Sequence, residues 1–341
     1  MDSLRRVFRT GCSEAGIPLA LAFVLLCTAG PSPGARPIAQ AFDLTAPPAV
    51  PAIFAPGVVS LGHHEHHLSL SPDGRTLLFV MADKHRKHHV IVEMNRIGDG
   101  WTEPEVAAFS GMFSDFAPAY SPDGMYLLFC SDRPTADEED QPGDVNIWKV
   151  VRDGRKWGTP EPLPSPVNDE SPEYNPSVAA SGNIYFQDHD AGGADLYLVR
   201  RTESGYGFPE KLPAEINSPY PEIGPWISPD ETLLLFSSER PGGRGGMDMY
   251  LSRRTPNGPW SPAVNLGLPV NTPFGEAIPT LSPDGRALFY VGFQGLDPAE
   301  LRGRGYGDLI RLLASPRNGD GTLYWVDFGR ACGAPEVRKE E

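Results

Sequence analysis

One short hairpin, used again and again, constrains this chain more than anything else in it. In Tyr120–Cys130, YSPDGMYLLFC, an apolar run enters Ser-Pro-Asp-Gly and a second apolar run leaves it. Pro122 pre-sets the φ of the second turn position, Asp123 suits the third, and Gly124 accepts positive φ. Two β-rich runs around such a turn form a hairpin. The unit returns at Leu70–Val80, Ile227–Ser237 and Leu281–Val291, and a worn copy at Val178–Gln187 lacks the Pro and Asp. With Asp73, Asp123, Ser181, Asp230 and Asp284 as reference points, the copies recur about every 50 residues, a period that belongs to propeller blades.

Each repeat supplies further strands. A third follows the hairpin, as in Val145–Arg152, Ala194–Arg201 and Met247–Arg254. A Gly-bearing turn, an aromatic residue and a Pro then lead to a short fourth strand, as in Ala263–Asn271. One such sheet cannot hide both faces, so several must stack. The expectation is an all-β, single β-propeller of five four-stranded blades, with six as the alternative if a degenerate blade lies in 292–320. The segment from Gly57 to Gly74 aligns with Ala263–Gly285, so the N-terminal strand is expected to complete the last blade and close the ring. Within that blade either Gly307–Leu313 or Gly321–Phe328 supplies the third strand.

The ends have their own character. Arg5, Arg6 and Arg9 precede an apolar run, Ile17–Ala29, and Ala39-Gln40-Ala41 offers a small-x-small cleavage site. This is the pattern of an export signal over 1–41, and its apolar run is short for a membrane span. Residues 42–56 read as an Ala/Pro-rich linker, 57–330 as the propeller and 331–341 as a tail. A periplasmic or secreted monomer is expected, with no transmembrane segment after signal removal. The formal net charge of −15 argues against nucleic acid as a partner. Cys130 and Cys332 are too few for a disulfide framework.

The S-P-D-G hairpins and the Asp-Ile/Leu-Tyr-type third strands resemble the TolB-like β-propeller family, whose repeats are WD-like, and the closing Tyr-Trp-Val-Asp is similar to a group of exported propellers of that kind without assigned activity. The resemblance covers about residues 57–330. It implies an exported protein that binds other molecules.

Two sets of side chains are candidates for a site. Eight positions before each turn reference stands a carboxylate: Glu65, Asp115, Glu173, Glu222 and Glu276. The innermost strand begins there, so the five are expected around one mouth of the central channel. Arg133 and Arg240 stand where they can pair with two of them. Such a ring suits a basic partner segment or Ca²⁺. Seven of the eight His lie in the first repeat, and on an extended strand His63, Glu65 and His67 share a side. His/Glu sets of that kind bind Zn²⁺. Two loops of opposite charge, 83–89 and 137–140, lie on the same face. No G-x-S-x-G elbow occurs, which disfavours a peptidase. The expected function is non-catalytic binding of an envelope or extracellular protein, peptide or glycan through the acidic face. A propeller carbohydrate-active enzyme, lyase or hydrolase, with a His/acid or metal site is the alternative.

Overall fold

The computed structural model describes residues 42–135, 144–154, 156–190 and 193–332. The segment read as an export signal, the acidic loop 137–140 and most of the tail lie outside them. The described residues form a five-bladed propeller of antiparallel sheets. The innermost strands, in blade order, are His64–Leu70, Asp115–Tyr120, Glu173–Val178, Glu222–Ile227 and Glu276–Leu281. Each packs against the next, and the fifth returns to the first, which closes the ring.

Alternation along the second strands makes the stack. In blade one, Leu77 and Phe79 pack with Phe289 and Val291 of blade five, while Leu78 and Val80 pack with Leu127 and Phe129 of blade two. Successive side chains of a strand point to opposite faces, so a continuous apolar strand serves both neighbours. Five such clusters fill the five blade interfaces. Each fully buried Leu or Phe contributes about 1.5–3 kcal/mol. The Asn that precedes three of the repeats brackets the third strand of the blade before. Asn168, Asn217 and Asn271 exchange hydrogen bonds with the main chain of Ile147, Leu196 and Met249.

Closure is as expected in kind and earlier in place. The strand that completes blade five is Ala52–Ile53, paired with Trp325 and Tyr324, inside the segment read as a linker. Phe54 beside it is fully buried against Phe289 and Trp325. The third strand of that blade is Thr322–Asp327. Gly307–Leu313 falls instead in an exposed helix, Tyr306–Leu313, and the insert holds no sixth blade among its described residues. No helix among the described residues is long and apolar enough to cross a membrane.

Candidate binding site in the central channel

All five carboxylates stand at the start of the innermost strands, and all five are buried. They face the loop that feeds their own strand. In every blade a carboxylate oxygen accepts a hydrogen bond from the amide four residues earlier: Leu61, Gly111, Asp169, Ser218 and Thr272. Blades two and four add a cation. Ser131 and Arg133 donate to Asp115 at 2.7 and 2.6 Å, and Ser238 and Arg240 donate to Glu222 at 2.7 and 2.9 Å. Blades one, three and five have no arginine there. Burial pushes the Glu65 and Glu276 carboxyls up to about 7, against loop-amide bonds that act the other way. Burial pushes Glu173 up to about 9, and the neighbouring Asp169 and Asp188 add to the rise. The arrangement ties down the entry loops around the channel.

The histidines are brought together in a different combination from the one the alternation suggested. His63 is exposed, Glu65 bonds its own loop, and His67 is swung away by a bulge at φ 46°. His66 and His67 touch through their Nδ1 atoms, His66 Nε2 lies 2.9 Å from His89 Nδ1, and His67 Nε2 lies 2.7 Å from Asn175 Oδ1 of blade three. Burial holds the His64 and His67 rings down to about 4 and about 3. Among the described residues no group of three His, Cys, Asp or Glu side chains is disposed to hold a metal ion.

The bulge at His67 is one of five. Ala117, Asn175, Gly224 and Ile278 stand at the same place, two residues after the carboxylate, all with φ between 52° and 59°. The strand register shifts at each of them. In four blades the next residue is Pro: Pro118, Pro176, Pro225 and Pro279. Proline has no N–H to give a ladder, so the inner strand breaks pairing there. The second recurring motif, acid-x-x-Pro, is in the sequence, and it marks the bulges. At the bulge level the channel is narrow: a side chain on Gly224 would lie 3.1 Å from Ile278 Cα.

From the bulges a cavity of about 700 Å³ runs along the inner strands to the S-P-D-G turns. Tyr120, Trp226 and Phe328 give its wall aromatic surface, Asp230, Arg253 and Asp284 stand toward its rim, and His67 and Asn175 lie at its inner end. None of the five carboxylates lines it. The turns around it are rigid. In each full copy the Ser hydroxyl donates to the turn Asp, at 2.5–2.6 Å, and accepts from the first amide of the returning strand. The worn turn of blade three lacks that Ser and is held from outside. Glu231 of blade four, at φ 57° where Gly is usual, accepts from Ser181, Asn183, Tyr185 and Arg254. The two departures from the motif thus repair one another.

No protein-family model matches the sequence, and no curated protein matches it. Solved structures do. An α-L-arabinofuranosidase from Lactobacillus brevis is 13% identical, with 79% of this chain and 91% of that one covered and a TM-score of 0.50. A protein of unknown function from Dyadobacter fermentans is 15% identical over 72% of this chain and 79% of that one, with a TM-score of 0.46. A puromycin-hydrolyzing peptidase of Mycobacterium tuberculosis is 17% identical, covering 66% of this chain and 34% of that one, with a TM-score of 0.39. What this chain shares with such proteins is the β-propeller fold.

Proposed function

We propose that this chain is an exported, non-catalytic propeller of TolB-like kind that takes a peptide or glycan segment of an envelope or extracellular partner into its central channel from the S-P-D-G face. The observation that carries this reading is the cavity, concave, partly aromatic and framed by rigid turns. Pockets with that mix of apolar wall and few polar groups are the usual ligand sites of a fold. The five acids support it in a second role, as anchors of the loops at the other end. The export reading rests on the N-terminal basic head and apolar run.

Peptide and glycan arrays probed with the mature chain test the proposal. Trp226→Ala, which strips aromatic wall, and Thr280→Trp, which fills the lumen, are the variants. Each is expected to weaken binding about 10-fold or more, the worth of one good aromatic contact. Array binding indifferent to both variants would remove the channel as the site. Turnover of an arrayed glycan would instead favour the enzyme reading.

A further inference from the structure

We propose that a row of hydrogen-bonded side chains across the inner end of the channel takes up one proton as a unit and reverses its donors from His66 to His189 when it does. The row runs from blade one to blade three. It begins at the Arg86 carbonyl, 3.1 Å from His89 Nε2. It continues through His66 and His67 to the Asn175 amide, then to the Gln187 amide at 2.8 Å and to His189 Nε2 at 2.5 Å. Phe116 of blade two lies over it, its ring 5.3 Å from His89 and 6.2 Å from His67, and Tyr174 covers His189 at 5.0 Å.

Counting hydrogens fixes the polarity. Each contact needs one hydrogen, and a neutral imidazole carries one. The Arg86 carbonyl can only accept, so His89 carries its hydrogen on Nε2. His89 Nδ1 then accepts from His66 Nε2–H, and His66 Nδ1 accepts from His67 Nδ1–H. That leaves His67 Nε2 an acceptor, so the uncharged row needs the Asn175 NH₂ toward it, turned over from the orientation in the structure, where Oδ1 lies 2.7 Å from Nε2. Gln187 turns over with it: the Asn175 carbonyl then accepts from the Gln187 NH₂ and the Gln187 carbonyl from His189 Nε2–H, whereas in the structure Asn175 Nδ2 donates to Gln187 Oε1 and Gln187 Nε2 faces His189 Nε2. The uncharged row is complete with every donor aimed toward Arg86.

The orientation in the structure, Asn175 carbonyl toward His67, asks for four hydrogens on three rings. One added proton, on His66, supplies the fourth. With it Asn175 and Gln187 take the orientation in the structure, and His189 Nε2 becomes the acceptor. Both states leave no contact unmade, and they differ by one proton. Asn175 lines the cavity, so the floor of the channel exchanges its hydrogen-bonding groups with that proton. The groups that face the row set its resting state. On its own strand His64 lies 4.9 Å from His66, while Glu65 is turned to the entry loop. In the adjoining loop stand His88, Asp83 and Arg86, the last paired with Asp320 at 2.8 Å. Burial keeps His66 well below its ordinary range, with its neighbouring rings and Arg86 acting the same way. Burial of the rings therefore favours the uncharged row at neutral pH, with Asn175 and Gln187 turned over from the orientation in the structure. None of this depends on what fills the cavity.

Nitrogen-detected NMR of the histidine rings in the mature chain tests it. At pH 7.5, His67 is expected as the Nδ1–H tautomer and His66 and His89 as Nε2–H tautomers. On acidification His66 is expected to gain Nδ1–H and His67 to become the Nε2–H tautomer in one step, with uptake of one proton, while His89 keeps its hydrogen on Nε2. Asn175→Asp places an acceptor-only group at the end of the row. In that variant the added proton is expected to be resident already at neutral pH, a midpoint higher by about two pH units or more, roughly 100-fold in proton affinity. Should acid unfold the parent chain before its rings titrate, the N175D spectrum at neutral pH decides. Should N175D not fold, the parent tautomers decide. A His67 carrying its hydrogen on Nε2 at pH 7.5, His66 and His67 changing separately, or an N175D midpoint left in place would each overturn the proposal.

Discussion

Blades two and four differ from blades one, three and five in how they hold the same carboxylate. In the first pair a serine and an arginine converge on it, and the guanidinium lies over aromatic rings: Phe113, Phe129 and Trp148 for Arg133, Phe236 and Tyr250 for Arg240. In the other three no such arginine is present, and burial is answered by loop hydrogen bonds. A buried charge needs a partner, or it takes up a proton. The fold therefore tolerates either state at this position, and it is the geometry of the loop, not the charge, that every blade retains.

The contrast can be broken most forcefully at Arg240. Arg240→Met leaves Glu222 buried without its cation and is expected to cost about 3–5 kcal/mol in denaturant unfolding, whereas adding Glu222→Gln to it recovers most of the loss. Equal losses for the single and the double variant would show that the arginine matters for packing alone. The converse change sharpens the other side. Glu173 titrates higher in the folded chain than unfolded, so its contribution is fully present below about pH 4.5 and is lost as the pH rises toward about 9. Glu173→Gln keeps the bond from Asp169 and removes that loss. It is expected to stabilise the chain by about 2–3 kcal/mol at pH 6.5 and by nothing at pH 4.5. Melting curves at the two pH values check this, and a gain of the same size at both would be wrong for an ionisation effect.

The smallest effect carries the comparison to the hairpin face. Glu231→Gly restores the regular S-P-D-G motif and relieves a positive φ, so the motif alone predicts a gain. The bonds from Ser181, Asn183, Tyr185 and Arg254 predict a loss of about 1–2 kcal/mol, because the worn turn of blade three loses its outside support. The sign of the change in urea midpoint decides.

What the sequence displayed was whatever repeats without reference to partners. Turn chemistry is local, so Ser-Pro-Asp-Gly announced hairpins, blade count and direction of the strands. The register of the five acids was equally plain, as was the pairing available to Arg133 and Arg240. Which way those acids turn was not plain, because it depends on amides four residues back whose loop conformation no pattern encodes. The alternation that put His63, Glu65 and His67 on one side fails at His67, where the bulge inserts a residue. Pro118, Pro176, Pro225 and Pro279 signalled those bulges in four blades, but blade one, where the histidines lie, has Leu68 instead. The His67–Asn175 contact joins residues of two non-adjacent blades across the lumen, and nothing local foreshadows it. The closing strand escaped notice because two residues, Ala52 and Ile53, are too few to show a period.

That two-residue closure ties one extremity of the polypeptide to the other. Ala52 pairs with Trp325, so this contact waits until the chain between them has been synthesised. Loop closure of such span is slow and comes late in assembly. An unlatched intermediate, with a bare sheet edge in the fifth wedge and Phe54 still in water, is the species that chaperones would meet.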